Sequence, residues 1–479
     1  MPRSLAVAAL AAAVTLAPAA HAARSARHAR PYVAPAGSGA LFLVSGHGWG
    51  HGVGMSQWGA QGYALQGDTY QQILAAYYPG TTFGQASVTT IRVLLADARK
   101  KLTLASDQPI AVTDGTGAQH TLPAGKTKLG PALKLAVDGG AAQPLQSPLT
   151  FSPAAGSSLT LGRAYSGQIV VDVVKRRLRA IDVLPLEQYL YGVVPAEMPS
   201  SWLPAALEAQ AVASRSYALA SRRAGAPFDV YADTRSQAYL GLSHETPQAT
   251  AAVDATAGQV LLYGGRIATT VFSSSSGGLT QSAADAWGGQ AVPYLPSVPD
   301  PFDSISPYHD WGPVPVTGKT LGRALHVRGR VLDATVTPNA SQRVATLDVT
   351  AQRRGRDTTT PVAGGTAASA LHLRSTWFGV DVLSLQPPLP NRPVRPGTRV
   401  ELTGTVRGVA NVALQARSAH RRWKQLRTVA PDPATGAFSL SVKPRATTDY
   451  RLAIPTDAAG FVRIRVEARG ASNAATVRG

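Results

Sequence analysis

The sequence predicts an α+β protein in two parts: a mixed, β-rich domain with a few helices, then a small all-β sandwich of immunoglobulin-like type. Three observations carry that expectation. Short β-branched runs with period-two alternation recur along the chain, helical patterning is confined to a few stretches with start and stop signals, and a proline cluster separates the two parts. With 479 residues and 44% apolar content, the chain is long enough for two or three domains with real cores.

The chain opens with Arg3, an apolar run from Leu5 to Leu16, and Ala20-His21-Ala22 as a small-x-small cleavage site, which together read as a secretory signal peptide over residues 1–22. The run is shorter than the roughly 20 residues a membrane span needs. Export, cleavage after Ala22 and no membrane contact thereafter are expected, with an uncleaved anchor as the alternative. Residues 23–40, rich in Arg, Ala, Pro and Gly, read as a linker.

The main domain is expected over residues 41–386, with strands at Ile91–Leu95, Leu102–Leu104, Ile169–Val174 and Leu178–Val183. Pro185 opens a short helix through Leu190. A longer helix has Pro204 in its first turn, Leu207, Ala211, Ser214 and Ala218 along one face, and Arg222 and Arg223 before Gly225 as its stop signal. Strands return at Gln259–Tyr263 and Ala268–Phe272. Pro387, Pro388, Pro390, Pro393 and Pro396 make a linker over 387–397, because closely spaced prolines extend neither a helix nor a central strand. Over 398–479, alternating positions such as Val400 and Leu402, Phe438, Leu440 and Val442, and Tyr450 and Leu452 predict the sandwich, with Trp423 in a middle strand.

Composition narrows the chemistry. There is no cysteine, which removes thiol nucleophiles, cysteine-held zinc, iron–sulfur clusters and disulfides. No cofactor is expected. Basic residues outnumber acidic ones 46 to 27, so an acidic polymer or surface is an expected partner. Export argues against nucleic acid and for an anionic cell wall. From Pro390 onward there are 16 basic and 5 acidic residues, which reads either as a wall-adhesion module or as solvated strand faces.

Three segments carry the chemistry. Before residue 401 the only glutamates are Glu187, Glu197, Glu208 and Glu245. Glu187 suits the first turn of a helix, whereas Glu197 lies in Gly192-Val193-Val194-Pro195-Ala196-Glu197-Met198-Pro199, between two expected helices and among apolar neighbours. Desolvation there would raise its pKa from about 4.3 toward the range useful to a general acid. A helix cap or ion-pair partner is the alternative role. The second segment, Ser45-Gly46-His47-Gly48-Trp49-Gly50-His51-Gly52-Val53-Gly54-Met55-Ser56-Gln57-Trp58-Gly59-Ala60, interleaves glycines with His47, His51, Gln57 and Trp58. Such a loop offers close backbone approach, hydrogen bonds and flat stacking faces suited to sugar rings. Its register never gives GxGxxG, which excludes a dinucleotide fingerprint. His47 and His51 read as substrate contacts, loop packing or metal ligands, although no third ligand is evident. The third, Ser273-Ser274-Ser275-Ser276-Gly277-Gly278, either lines a polar groove or forms a flexible turn.

Together these segments resemble the SpoIID/LytB family of peptidoglycan-remodelling proteins. The resemblance rests on Val183-Leu184-Pro185-Leu186-Glu187-Gln188-Tyr189-Leu190-Tyr191-Gly192-Val193-Val194, Glu197-Met198-Pro199 and Ala209-Gln210-Ala211-Val212-Ala213-Ser214-Arg215-Ser216-Tyr217-Ala218. Ser236-Gln237-Ala238-Tyr239-Leu240-Gly241, the serine–glycine run, Pro293-Tyr294-Leu295 and the glycine–histidine segment through Tyr77-Tyr78-Pro79-Gly80 add to it. The core motifs fall in residues 45–80 and 183–311. The resemblance implies a SpoIID-like catalytic domain and a secreted, wall-associated lytic transglycosylase that cuts the β-1,4 bond between N-acetylmuramic acid and N-acetylglucosamine in glycan strands. It places the catalytic glutamate at Glu197, acting as acid on the glycosidic oxygen and then as base on the 6-hydroxyl, which closes a 1,6-anhydro ring. Arg215, Gln57, His47, His51, Trp58, Ser274, Ser275 and Gln237 are the implied substrate contacts. The motif order is circularly permuted, since the glycine–histidine segment opens the domain and Leu371-His372-Leu373-Arg374-Ser375-Thr376-Trp377-Phe378 comes late. Residues 45–60 are therefore expected to pack beside Glu197. Cysteine-containing zinc sites of the family have no counterpart here. A noncatalytic wall-binding or amidase-stimulating protein using the same groove is the alternative reading.

Overall fold

Alternating burial along Gln168–Val174 and Arg177–Pro185 makes these runs neighbouring antiparallel strands. Lys175 and Arg176, at φ 48° and 61°, close the two-residue turn between them, and its twist matches that of the strands it joins. A computed structural model describes residues 32–33, 39–223, 225–386, 393–418, 421–454 and 457–465. The expected signal peptide lies outside them, as do most of the 23–40 linker and residues 387–392 of the proline-rich stretch. The described residues form two compact units: one holds Trp49–His309, and the other holds residues 32–33, 39–48 and those from Asp310 onward.

In the first unit a seven-stranded sheet runs in the order Val230–Tyr231, Thr90–Arg99, Arg177–Pro185, Gln168–Val174, Leu149–Ser152, Ile110–Thr113 and Gln119–Leu122. All its neighbours are antiparallel except Val230–Tyr231, which runs parallel to Thr90–Arg99. The helices of this unit include α1 (Gln57–Leu65), α2 (Tyr70–Tyr77), α3 (Leu186–Glu197), α4 (Pro204–Ala220) and α5 (Pro247–Ala255). Pro204 and Pro247 stand at first-turn positions, where a missing N–H removes no helical bond.

Two expectations change here. The helix opened by Pro185 continues past Leu190 to Glu197, so this glutamate ends a helix instead of lying in a loop. Pro195 lies inside the helix near its end and costs it one backbone bond, while buried Tyr189, Leu190, Val193 and Val194 hold the helix against the core. The run Ala268–Phe272 is not one strand; pairing is limited to Arg266–Ile267 and Phe272–Ser273. Between them the Thr270 hydroxyl donates to the Ala213 carbonyl of α4 at 2.7 Å, a side-chain bond that replaces the ladder.

In the second unit, a five-stranded sheet has the order Asp310–Thr317, Leu41–His47, Phe378–Gln386, Val400–Arg407 and Ala437–Val442. Leu41–His47 is buried on both faces: Phe42 and Val44 join a core with Val331, Leu347 and Val349, whereas Leu41 and Leu43 join one with Leu402, Leu414 and Leu452. The strands expected after Pro390 occur, but their sheet continues across the proline stretch, with Gln386 paired to Thr403. Trp423 is not in a middle strand. It precedes the edge strand Lys424–Thr428, and its ring lies 4.7 Å and 4.3 Å from the guanidinium carbons of Arg417 and Arg451. No helix among the described residues is long and apolar enough to cross a membrane.

Candidate functional site

The centre of the first unit is α4, whose alanines let neighbouring elements approach from nearly every side. A helix buried this completely must satisfy its polar side chains internally. Gln210 Nε2 donates to Ser214 Oγ at 2.9 Å, and Gln210 Oε1 accepts a long bond of 3.5 Å from Gln57 Nε2 of α1. Gln237 Nε2 donates to the Ser214 carbonyl at 3.1 Å. The next residue, Ala238, donates its backbone N–H to Glu197 Oε1 at 2.8 Å. A polar relay across α4 thus connects the glycine–histidine segment to the end of α3.

Glu197 is half-buried. Loss of hydration pushes its carboxyl up to about 7, against the opposing pull of the Ala238 N–H. Its second oxygen has no hydrogen-bond partner among the described residues. Burial, with the Glu197 charge in addition, also holds the Tyr189 and Tyr217 phenols above their ordinary range. Tyr189 Oη and Gln237 Oε1 are each buried without a hydrogen-bond partner among the described residues. The arrangement is a carboxyl poised between its two protonation states, oriented through one oxygen and open at the other.

The glycine–histidine segment reaches this region mainly through α1. The Trp58 and Trp202 rings meet edge to face with centroids 4.7 Å apart, and Leu203 N donates to Gln61 Oε1 at 3.0 Å. Trp202 and Leu203 follow Glu197 within six positions. The glycines permit this approach: a Cβ on Gly59 would lie 2.0 Å from Tyr77 Oη, and Gly54, at φ +69°, sits where a Cβ would be 2.1 Å from the Val271 carbonyl oxygen.

Two aspartates that sequence reasoning did not single out anchor the same segment. Asp303 is fully buried and accepts from Ser56 Oγ, Ser275 Oγ, the backbone N–H groups of Ser276 and Gly277, and His309 Nδ1, all within 2.7–3.0 Å. Asp300, also buried, accepts from Tyr77 Oη at 2.8 Å and Ser276 Oγ at 2.7 Å. Burial, then the Asp303 charge, pushes Asp300 up to about 7. The available signal was Asp300-Pro301-Phe302-Asp303, two carboxylates three apart around apolar residues.

The predicted contacts divide accordingly. Gln57, Trp58, Gln237 and the half-buried Ser274, whose carbonyl accepts from Trp58 N at 3.0 Å, lie in the network around α1 and α4. His51 belongs to the same unit, with Nδ1 accepting from Val53 N at 3.0 Å and its ring 5.5 Å from Trp287. Arg215 and Ser275 are not surface contacts, since both are fully buried. Arg215 pairs with Glu187 and donates to the Gln259 and Val253 carbonyls, tying α3, α4 and α5 together. Ser275 donates to Asp303 and exchanges backbone bonds with Trp49. His47 belongs to the second unit, where it pairs with Asp310 at 2.6 Å, stacks near Trp377 and lines a cleft of about 450 Å³. His47 and His51 fall in different units, and the Nδ1 of each is engaged, by Asp310 and by Val53 N respectively. Among the described residues no three His, Asp or Glu side chains converge as a ligand set.

Residues 174–263, which contain α3, Glu197, α4 and α5, match the SpoIID family, described as Stage II sporulation protein. The chain is 35% identical over 159 residues to Stage II sporulation protein D of Bacillus subtilis, covering 29% of this chain and 45% of that protein. It is 40% identical over 115 residues to the amidase enhancer of the same organism, covering 24% of this chain and 15% of that protein. An uncharacterized protein of Brachyspira hyodysenteriae is 37% identical over 140 residues, covering 29% of this chain and 38% of the relative. The chain thus spans less than half the length of each of these relatives. No solved structure matches it.

Proposed function

We propose that this chain, which carries a domain of the SpoIID/LytB family, is a secreted, wall-associated peptidoglycan lytic transglycosylase that uses Glu197 as its one acid and base. A role at the cell wall follows from the family; the reaction is our reading. The observation that carries it is the Glu197 carboxyl, held through one oxygen by Ala238 N–H, with the other oxygen unpartnered and a pKa pushed up to about 7. Near neutral pH such a group is populated in both the form that donates and the form that accepts a proton.

In the first step Glu197 gives its proton to the glycosidic oxygen between N-acetylmuramic acid and N-acetylglucosamine as the bond from that oxygen to the muramic anomeric carbon breaks, and N-acetylglucosamine leaves with a free 4-hydroxyl. The resulting carboxylate then takes the proton of the muramic 6-hydroxyl as that oxygen attacks the anomeric carbon, closing a 1,6-anhydro ring. The internal hydroxyl replaces water, so a single carboxyl group serves where an ordinary glycosidase needs two. Trp58, Ser274 and His51 are the proposed sugar contacts of the first unit, and the buried Gln57 and Gln237 orient the polar network behind them. Arg215 and Ser275 support the site from within. The basic residues after Pro390 are proposed to hold anionic wall polymers.

The similarity to an amidase enhancer favours one other reading, a noncatalytic protein that binds glycan through the same residues. Mass spectrometry of purified glycan strands after incubation separates the two. Anhydro-ended products that disappear in Glu197→Gln support the transglycosylase, reducing ends indicate a hydrolase, and retained binding without cleavage supports the noncatalytic protein.

A further inference from the structure

A cleft in the first unit, of about 360 Å³, is lined by Val88, Thr89, Thr90, Arg92, Val183, Arg222 and Asp229. Its floor is Asp229, whose side chain is 2% exposed. Arg92 grips this carboxylate through Nε at 3.1 Å, Nη2 at 3.0 Å and its own backbone N–H at 3.0 Å. Arg222 adds a bond from Nε at 3.3 Å to the same Oδ1 that Arg92 Nη2 engages. Two guanidinium groups are therefore held side by side by one oxygen atom, and the single buried carboxylate neutralises only one of their two charges. Burial by itself would raise Asp229, but the Arg92 bonds and the Arg222 charge hold it below the usual carboxylate range, so it stays ionised.

Both arginines are about one-third exposed, at 36% and 34%, unlike the fully buried Arg215. Among the described residues, Nη1 of Arg92 and both terminal nitrogens of Arg222 have no acceptor. A purely structural ion pair needs one arginine for one aspartate. The second cation, the exposed donors and the threonines at the rim make an anion receptor whose geometry is set before any ligand arrives.

We propose that Arg92 and Arg222, oriented by Asp229, form a binding site for a carboxylate or phosphate group. The site rests on its own geometry and not on the role assigned to Glu197. Leu186 N, at the start of α3, donates to the Thr89 carbonyl, so the cleft flanks one end of this helix while Glu197 is its last residue. At 1.5 Å per residue the helix separates the two by roughly 17 Å. A ligand that engages both sites is an extended polymer bearing anionic groups.

The test is isothermal titration calorimetry of the full chain at low salt with two probes, inorganic phosphate and N-acetyl-dialanine, whose only charge is its terminal carboxylate. Saturable binding of at least one probe is expected, weakened about tenfold or more by Arg222→Gln and by added salt. Arg222→Gln keeps the Arg92–Asp229 contacts, so its melting temperature should stay near that of the parent chain. Glu197→Gln should bind the probes unchanged. Binding of phosphate alone assigns the site to phosphate groups, binding of the dipeptide alone assigns it to carboxylates, and binding of both supports the shared chemistry. If neither probe saturates, or if folded Arg222→Gln binds as the parent does, the proposal is wrong.

Discussion

The backbone N–H of Ala238 donates to Oε1 of Glu197 at 2.8 Å, joining the last residue of α3 to the segment that also bonds α4 through Gln237. This one contact orients the carboxyl and leaves its other oxygen without a partner among the described residues. Elements that are distant in sequence thereby converge on a single acid.

Glycan cleavage is expected to fall by about 100-fold or more in Glu197→Gln, the usual worth of a positioned acid or base. In the parent chain the rate should decline above pH 7, since the protonated form needed for the first step is lost as pH rises through about 7. A pH–rate profile that stays flat from 6 to 9 would argue against the assignment.

Glu197 should also lower stability in its charged form. Its folded pKa, about 7, exceeds the ordinary value of 4.5, so the folded state binds more protons between these limits and stability falls as pH rises through that window. Glu197→Gln should consequently be more stable than the parent at pH 8, by roughly 1–3 kcal/mol, and equal to it near pH 4. Denaturant melts at the two pH values measure the difference.

Arg215→Ala leaves Glu187 without its buried partner and should cost about 3–5 kcal/mol of stability. Arg215→Met combined with Glu187→Leu should recover much of that loss, because no uncompensated charge remains. A groove contact would behave differently: Arg215→Ala would weaken glycan binding without lowering the melting temperature.

Asp303→Asn places an amide where five donors converge and should destabilise the first unit by about 3 kcal/mol or more. Chemical denaturation reads the effect. A change within 0.5 kcal/mol would show that the hub does not hold the serine–glycine run.

The Trp58–Trp202 contact predicts coupling between the early segment and the loop after Glu197. A double-mutant cycle with Trp58→Ala and Trp202→Ala should give an interaction energy of about 0.5–1.5 kcal/mol. Additive effects would mean that the two rings do not meet in solution.

Much of this was legible in the chain. Period-two runs located Gln168–Val174, Arg177–Pro185 and Gln259–Tyr263 to within a residue or two, because alternation records which face of a strand meets the core. The scarcity of glutamate and the apolar setting of Glu197 marked it, since residue type and neighbours report desolvation directly. What a linear reading lacks is the identity of partners far away in the chain. Arg215 looked like a ligand contact because arginine within a motif does not reveal that Glu187 and two carbonyls enclose it. Asp300 and Asp303 offered only a three-residue spacing around apolar residues, and their meaning came from donors more than 200 positions upstream in Tyr77 and Ser56. The proline stretch looked like a boundary, yet Phe378–Gln386 pairs across it with Val400–Arg407, because sheet hydrogen bonds depend on edge geometry and not on the chain between the strands. Composition and periodicity thus located most of the elements and singled out one glutamate, whereas tertiary structure decided burial, partners and unit boundaries, since desolvation and hydrogen bonding are properties of atoms brought together in space.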